Sequence, residues 1–370
     1  MADVRIENLA RVMVEYSTQV EPGDKVLISS IPFTPAALPY LQETARAVLK
    51  AGGNPMFDLD PEGYETLLLK EGSDEQLTFI DPRVMLAARE CDRAIMFTCE
   101  ENTRRMSAID PGRQSLRMGA WKEYFDITSR RTAEGSYHWV LTLVPTSGYA
   151  QDAEMDLEAF EDFFFHATFA DRDDPVISWI EMRSKQEALV EWLRGRKKVE
   201  VSGPQVELKL SIEGRTFISC HGDENIPDGE IFTAPVEESV EGWIRFSYPA
   251  MFTGREVAGV ELRFEAGRVV EAKAEKNDDF LQSVLEMDSG ARYLGEFAIG
   301  TNQAIDRFTK NILFDEKIGG TMHMALGFGY PESGSKNQSA LHWDMITDMK
   351  DGGEIKVDGE PFYRSGEFLV

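Results

Sequence analysis

Cysteine is scarce: Cys91, Cys99 and Cys220 are the only three in a chain of 370 residues. Their odd number, with no Cys-x-x-Cys spacing, excludes a disulfide framework and a zinc knuckle. Positive charge is also in short supply, with 39 Lys and Arg against 65 Asp and Glu and a net charge of -26. That balance repels nucleic acid and anionic membranes and attracts cations. No apolar run approaches the roughly 20 residues of a membrane helix. The start, Met1-Ala2-Asp3-Val4-Arg5-Ile6-Glu7, has acids where a secretion signal needs a basic segment and an apolar stretch. A soluble, cytoplasmic protein with no nucleic-acid and no membrane partner is expected. Phosphate-binding glycine loops are missing as well, since neither GxGxxG nor a GxxxxGK segment followed by Ser or Thr occurs.

What is present is a change of texture along the chain. Apolar spacing over 6–20 predicts a helix, and Glu21-Pro22-Gly23-Asp24 a turn into a buried strand at 25–30. A helix over 35–51, stopped by Gly52-Gly53, precedes a strand at 55–59. A helix at 84–90 and strands at 93–98 and 140–144 repeat the pattern, and a last helix runs from 175 to 194. Helices alternating with strands imply a Rossmann-like α/β domain with a largely parallel sheet. Beyond it, Val206-Glu207-Leu208-Lys209-Leu210 and Val260-Glu261-Leu262-Arg263-Phe264 alternate apolar with polar, the mark of antiparallel β structure. The expected organisation is an α/β domain over 1–195, then a β-rich α+β domain over 196–370.

Histidine is the next scarcity, and it is informative. Of five in the chain, His342 stands in His342-Trp343-Asp344. On a strand, residues two apart share a face, so an imidazole and a carboxylate point together while Trp343 packs on the other side. His323, in Met322-His323-Met324, lies shortly upstream. Glu230, Glu296 and Glu316 each stand in apolar or glycine-rich sequence, where a free carboxylate is expensive to bury. A paired cation is the simplest way to keep them charged. Any one of these acids read alone is an ordinary surface residue. Four acids and two histidines in one half of the chain favour metal, and six ligands suit two bridged ions better than one open tetrahedral zinc. Zinc, cobalt and manganese all accept imidazole with carboxylate. Tyr330, in Gly327-Phe328-Gly329-Tyr330-Pro331, offers a hydroxyl to a substrate or an oxyanion. His138, His166 and His221 lack such company.

Together these segments resemble the aminopeptidase T family, the thermophilic-type metalloaminopeptidases with two metal ions. The matching stretches are Gly229-Glu230-Ile231-Phe232-Thr233-Ala234-Pro235, Leu294-Gly295-Glu296, Phe314-Asp315-Glu316, His323 with Ala325-Leu326-Gly327, Tyr330-Pro331 and His342-Trp343-Asp344. Glu21 to Val26 and Pro145 to Gln151 extend the likeness over nearly the whole chain. The resemblance implies that Glu230, Glu296, Glu316, His323, His342 and Asp344 hold two divalent metal ions, with Glu296 bridging. Tyr330 is then the catalytic tyrosine, short peptides are the substrates, and the protein is a homodimer. Gly319-Gly320-Thr321 lengthens the step from Glu316 to His323, which leaves Glu316 open between direct ligand and outer partner. The expected activity is release of N-terminal residues from peptides. Another dinuclear hydrolase, such as a phosphoesterase, is the competing reading, with Lys317 and Lys336 the only nearby cations for phosphate. A closed structural metal is the non-enzymatic one.

Overall fold

The structure, a computed structural model, describes residues 3–370. Two compact units are formed by Met1–Trp179 with Gly222–Pro227, and by Ile180–His221 with Asp228–Val370. The division falls inside the helix Pro175–Leu193, whose end is the change of texture seen near residue 195.

The first unit is built on strands β1 (Lys25–Phe33), β2 (Asn54–Pro61), β3 (Arg93–Thr98) and β4 (His138–Leu143). All are parallel, in the order β2-β1-β3-β4, and the short strand Asn225–Ile226 adds a fifth parallel member beside β4. With helices between the strands, this is the α/β architecture that the alternation predicts. Val26, Ile28, Ala94, Ile95, Val140 and Leu143 are all fully buried, as strands covered on both faces require. Helix Leu38–Ala51 buries Tyr40, Leu41 and Val48 and stops at Gly52. There φ is +88°, a left-handed conformation that glycine adopts without a Cβ penalty. The helix expected over 6–20 is an α-helix, Val4–Arg11, continued by a π-helical segment, Val12–Ser17.

The second unit carries two large antiparallel sheets and a two-stranded hairpin, 250–252 with 255–257. The larger has eight strands, ordered 268–273, 261–265, 241–245, 206–211, 198–203, 354–357, 360–364 and 367–368. The smaller consists of β5 (Ile218–Cys220), β6 (Glu230–Thr233), β7 (Leu294–Gly300), β8 (Thr321–Gly327) and β9 (His342–Asp348), in the order β9-β8-β7-β6-β5. One apolar core joins them. Val201, Leu208, Ile244 and Leu262 come from the larger sheet, and Ile231, Ile299, Met322, Met324, Leu326, Trp343 and Met345 from the smaller. Because side chains alternate along a strand, filling the core with these residues turns their neighbours to the other face of the smaller sheet. Those neighbours are Glu230, Ala298, His323, Ala325, His342 and Asp344.

Candidate metal centre

Strand register brings the charged side chains together. Gly300 pairs with Glu230, Ala298 with His323, and Ala325 with both Glu296 and Asp344, while Gly327 pairs with His342. Every one of the five sheet-borne charged residues thus has glycine or alanine as a cross-strand partner, which leaves room above the sheet for long side chains to converge. Gly327 has φ +95°, and a Cβ there would sit 2.1 Å from the Leu341 carbonyl oxygen, so only glycine lets β9 approach at this point. Glu316 arrives from outside the sheet, at the C-terminal cap of the short helix Ile312–Asp315.

All six expected ligands meet in this space. His323 Nε2 lies 2.9 Å from Glu230 Oε2 and 3.1 Å from Glu296 Oε1. The second oxygen of Glu296 faces His342 Nε2 at 4.0 Å, and Asp344 Oδ2 is 3.5 Å from the same nitrogen. The Phe328 carbonyl oxygen, 2.9 Å from His342 Nδ1, fixes that ring by accepting its N–H and so turns Nε2 inward. Glu230, Glu296 and His323 form one metal-type triad with ligand atoms within 4.8 Å of one another, and Glu316, His323 and Asp344 form another. Trp343 points away and packs against Phe252 and Phe280. Tyr330 stands at the rim, 39% exposed, with its ring 5.4 Å from that of His342 and 5.5 Å from that of Phe232. His138 lies on β4 and His166 pairs with Asp171 at 2.9 Å, both in the other unit.

Three further residues belong to the cluster, and the sequence reading passed over their place in it. Lys317, 1% exposed, sets its ammonium 3.0 Å from Glu230 Oε1, 2.5 Å from Glu316 Oε1 and 3.6 Å from Asp228 Oδ1. Cys220 at the end of β5, Asp228 and Glu230 make a third triad of metal-type spacing. The Asp228-Gly229-Glu230 spacing carried a signal, two carboxylates on the same alternation. Nothing local marks Lys317, which is 87 residues from Glu230 in sequence.

Electrostatics of the cluster show what it requires. Burial raises the Glu230 carboxyl, but Lys317 and His323 outweigh it and hold this group below the usual carboxylate range. One ammonium cannot satisfy two carboxylates equally. Burial accordingly pushes Glu316 up to about 8 against the pull of Lys317, and Glu296 also rises through burial. Burial would lower His323, yet Glu230 and Glu296 hold it well above the ordinary imidazole value. His342 is raised too, with Asp344 and Glu296 overcoming its burial. The Tyr330 hydroxyl lies well above the usual phenol range through burial and then the surrounding carboxylates, so it remains a hydrogen-bond donor. His323 Nδ1 and Asp344 Oδ1 are buried and have no hydrogen-bond partner. Unpartnered polar atoms on two of six converging ligands are what bound divalent ions would satisfy, so the residues fit such ions.

Fold and donor set together define a metal-dependent enzyme with an α/β unit and a β-rich unit. The model of the thermophilic metalloprotease (M29) family matches residues 2–368, and the chain belongs to that family. It is similar to Aminopeptidase 2 of Geobacillus stearothermophilus, at 26% identity over 98% of this chain and 97% of that protein. It is also similar to Aminopeptidase T of Thermus thermophilus, at 25% identity over 99% and 98% of the two chains. The solved structure of wild-type AmpT from Thermus thermophilus has the same fold, with a TM-score of 0.84, 23% identity and 99% of both chains covered. The chain is therefore a metal-dependent peptide hydrolase. Among the described residues, no helix is long and apolar enough to cross a membrane.

Proposed function

We propose that this protein is a dinuclear metalloaminopeptidase that releases N-terminal residues from short peptides. The observation that carries the reading is the convergence of Glu230, Glu296, Glu316, His323, His342 and Asp344, with unpartnered atoms on two of them. Glu296 turns one oxygen to each histidine, which supports it as the bridging ligand. These six residues would hold the ions, and the chemistry such ions would supply when bound is activation of a water and polarisation of the scissile carbonyl. Imidazole and carboxylate donors suit zinc, cobalt or manganese.

The chain's own groups supply the rest. Glu316, with its side chain 19% exposed against 8% for Glu230 and 6% for Glu296, is the glutamate most open to water. It takes the proton as the water oxygen adds to the carbonyl carbon. That proton passes to the departing amine nitrogen as the C–N bond breaks. Tyr330 donates to the oxyanion from the rim. The acidic balance of the chain, a net charge of -26, attracts the substrate's α-ammonium and favours peptides with a free N-terminus. A phosphoesterase is disfavoured because Lys317, the cation inside the cluster, is buried and already engaged by carboxylates, which leaves Lys336 as the one remaining candidate of the two for phosphate.

Two further readings accompany this one. Strand β2 is an edge strand with Met56 and Phe57 exposed, which supports a homodimer. Cys91 and Cys99 are buried thiols outside any disulfide, which supports a reducing, cytoplasmic setting. Incubating metal-replete protein with free and N-acetylated forms of the same short peptides tests the activity. Only the free forms should lose their first residue. No released amino acid, or equal cleavage of both forms, would defeat the reading.

A further inference from the structure

Lys317 is the least expected member of the cluster. Its ammonium is buried among carboxylates, yet it is not a metal ligand, and a positive charge next to metal-binding groups competes with metal unless it has a separate task. The contacts show how the two are kept apart. Glu230 gives Oε1 to Lys317 and turns Oε2 towards His323. Glu316 likewise gives Oε1 to Lys317. Behind the ammonium, Asp228 is held by its own contacts: Oδ1 accepts the Gly229 N–H at 2.9 Å, and its carbonyl oxygen accepts the Asn302 side-chain amide at 2.8 Å. The Cys220–Asp228–Glu230 triad, which has metal-type spacing, thus has the ammonium beside its two carboxylates.

We propose that Lys317 is a positioning residue of the metal centre: its ammonium occupies the third cation seat, commits the remaining oxygen of Glu230 to the ions and holds Glu316 with its other oxygen towards the centre. The inference rests on the metal-centre reading. Charge agrees with it, because two divalent ions and one ammonium balance the carboxylates of Asp228, Glu230, Glu296, Glu316 and Asp344 when both imidazoles are neutral. A buried ammonium with three anionic neighbours also has little freedom to move, so it orients both glutamates before metal arrives.

Cobalt(II) titration of the full-length protein, followed by calorimetry and visible absorption, tests this. Lys317→Met should weaken cobalt binding about 10–100-fold, the cost typical of losing an orienting partner, and should shift the visible bands. Lys317→Arg should recover part of both. Asp228→Asn, which loosens the ammonium without touching the ions, should move affinity and spectrum in the same direction by less. A folded Lys317→Met protein with wild-type or tighter affinity and unchanged bands overturns the proposal. If that variant does not fold, Asp228→Asn with wild-type affinity and bands overturns it instead. His342→Ala separates the two levels: if it too leaves cobalt binding unchanged, the metal-centre reading fails, whereas loss there with no change in the Lys317 variants defeats only the role of Lys317.

Discussion

Replacing Tyr330 by phenylalanine removes one oxygen atom and little else. The ring keeps its neighbours, Phe232 at 5.5 Å, Phe328 at 5.6 Å and His342 at 5.4 Å, so packing at the rim survives. The three metal-type triads of acidic, histidine and cysteine side chains are left intact. Losing a donor to an oxyanion usually costs about 2.7–4 kcal/mol, or about 10²–10³ in kcat. Tyr330 is 39% exposed, so water weakens the interaction and the lower end of that range, about 100-fold, is expected. KM should change far less, because the oxyanion exists only after attack on the carbonyl. The assay is steady-state release of the N-terminal residue, paired with metal analysis of the same sample. A kcat within about threefold of wild type, about 0.7 kcal/mol, would remove Tyr330 from the chemistry. Equal loss of metal and turnover would make it a structural residue of the centre.

Other outcomes follow from the same geometry. His342→Ala should lose metal and activity together, with metal affinity falling by at least about 10-fold in a calorimetric titration. Asp288, whose carboxylate accepts from Ser339, Ala340, Gly290 and Ala291, anchors the segment that leads into β9. Burial opposes its ionisation, but those donors win and hold its pKa below the usual value. Its contribution is therefore present above the unfolded-state pKa of about 4 and fades as pH falls through the lower folded value. Asp288→Asn should destabilise the protein by about 1–2 kcal/mol at neutral pH, after allowance for partial exposure, and the gap should close in acid. Denaturant melts at pH 7 and pH 3 check it, and a gap that widens in acid would contradict the assignment.

Much of this site was legible because strand alternation is a local rule. His342 and Asp344 share a face, Trp343 takes the other, and Glu230, Glu296 and His323 obey the same period two. Alternation of helices with strands likewise reveals the parallel sheet of the first unit. Its fifth strand, Asn225–Ile226, is two residues long and comes from far down the chain, so no periodicity could announce it. The place of Lys317 in the cluster is hidden for a related reason. Beside Glu316 it reads as half of an ordinary surface pair, and only folding buries it against Asp228 and Glu230. The glycines and alanines opposite each charged residue were also in view, but their meaning depends on register, which a single strand does not disclose.

The central claim is that six side chains of the second unit hold two catalytic ions. Metal analysis of the purified chain, alongside peptide turnover before chelation, after chelation and after metal is restored, tests it most directly. The account predicts about two divalent ions per chain, loss of turnover with their removal and its return with zinc, cobalt or manganese. One ion per chain, or turnover that survives complete removal of metal, would contradict it.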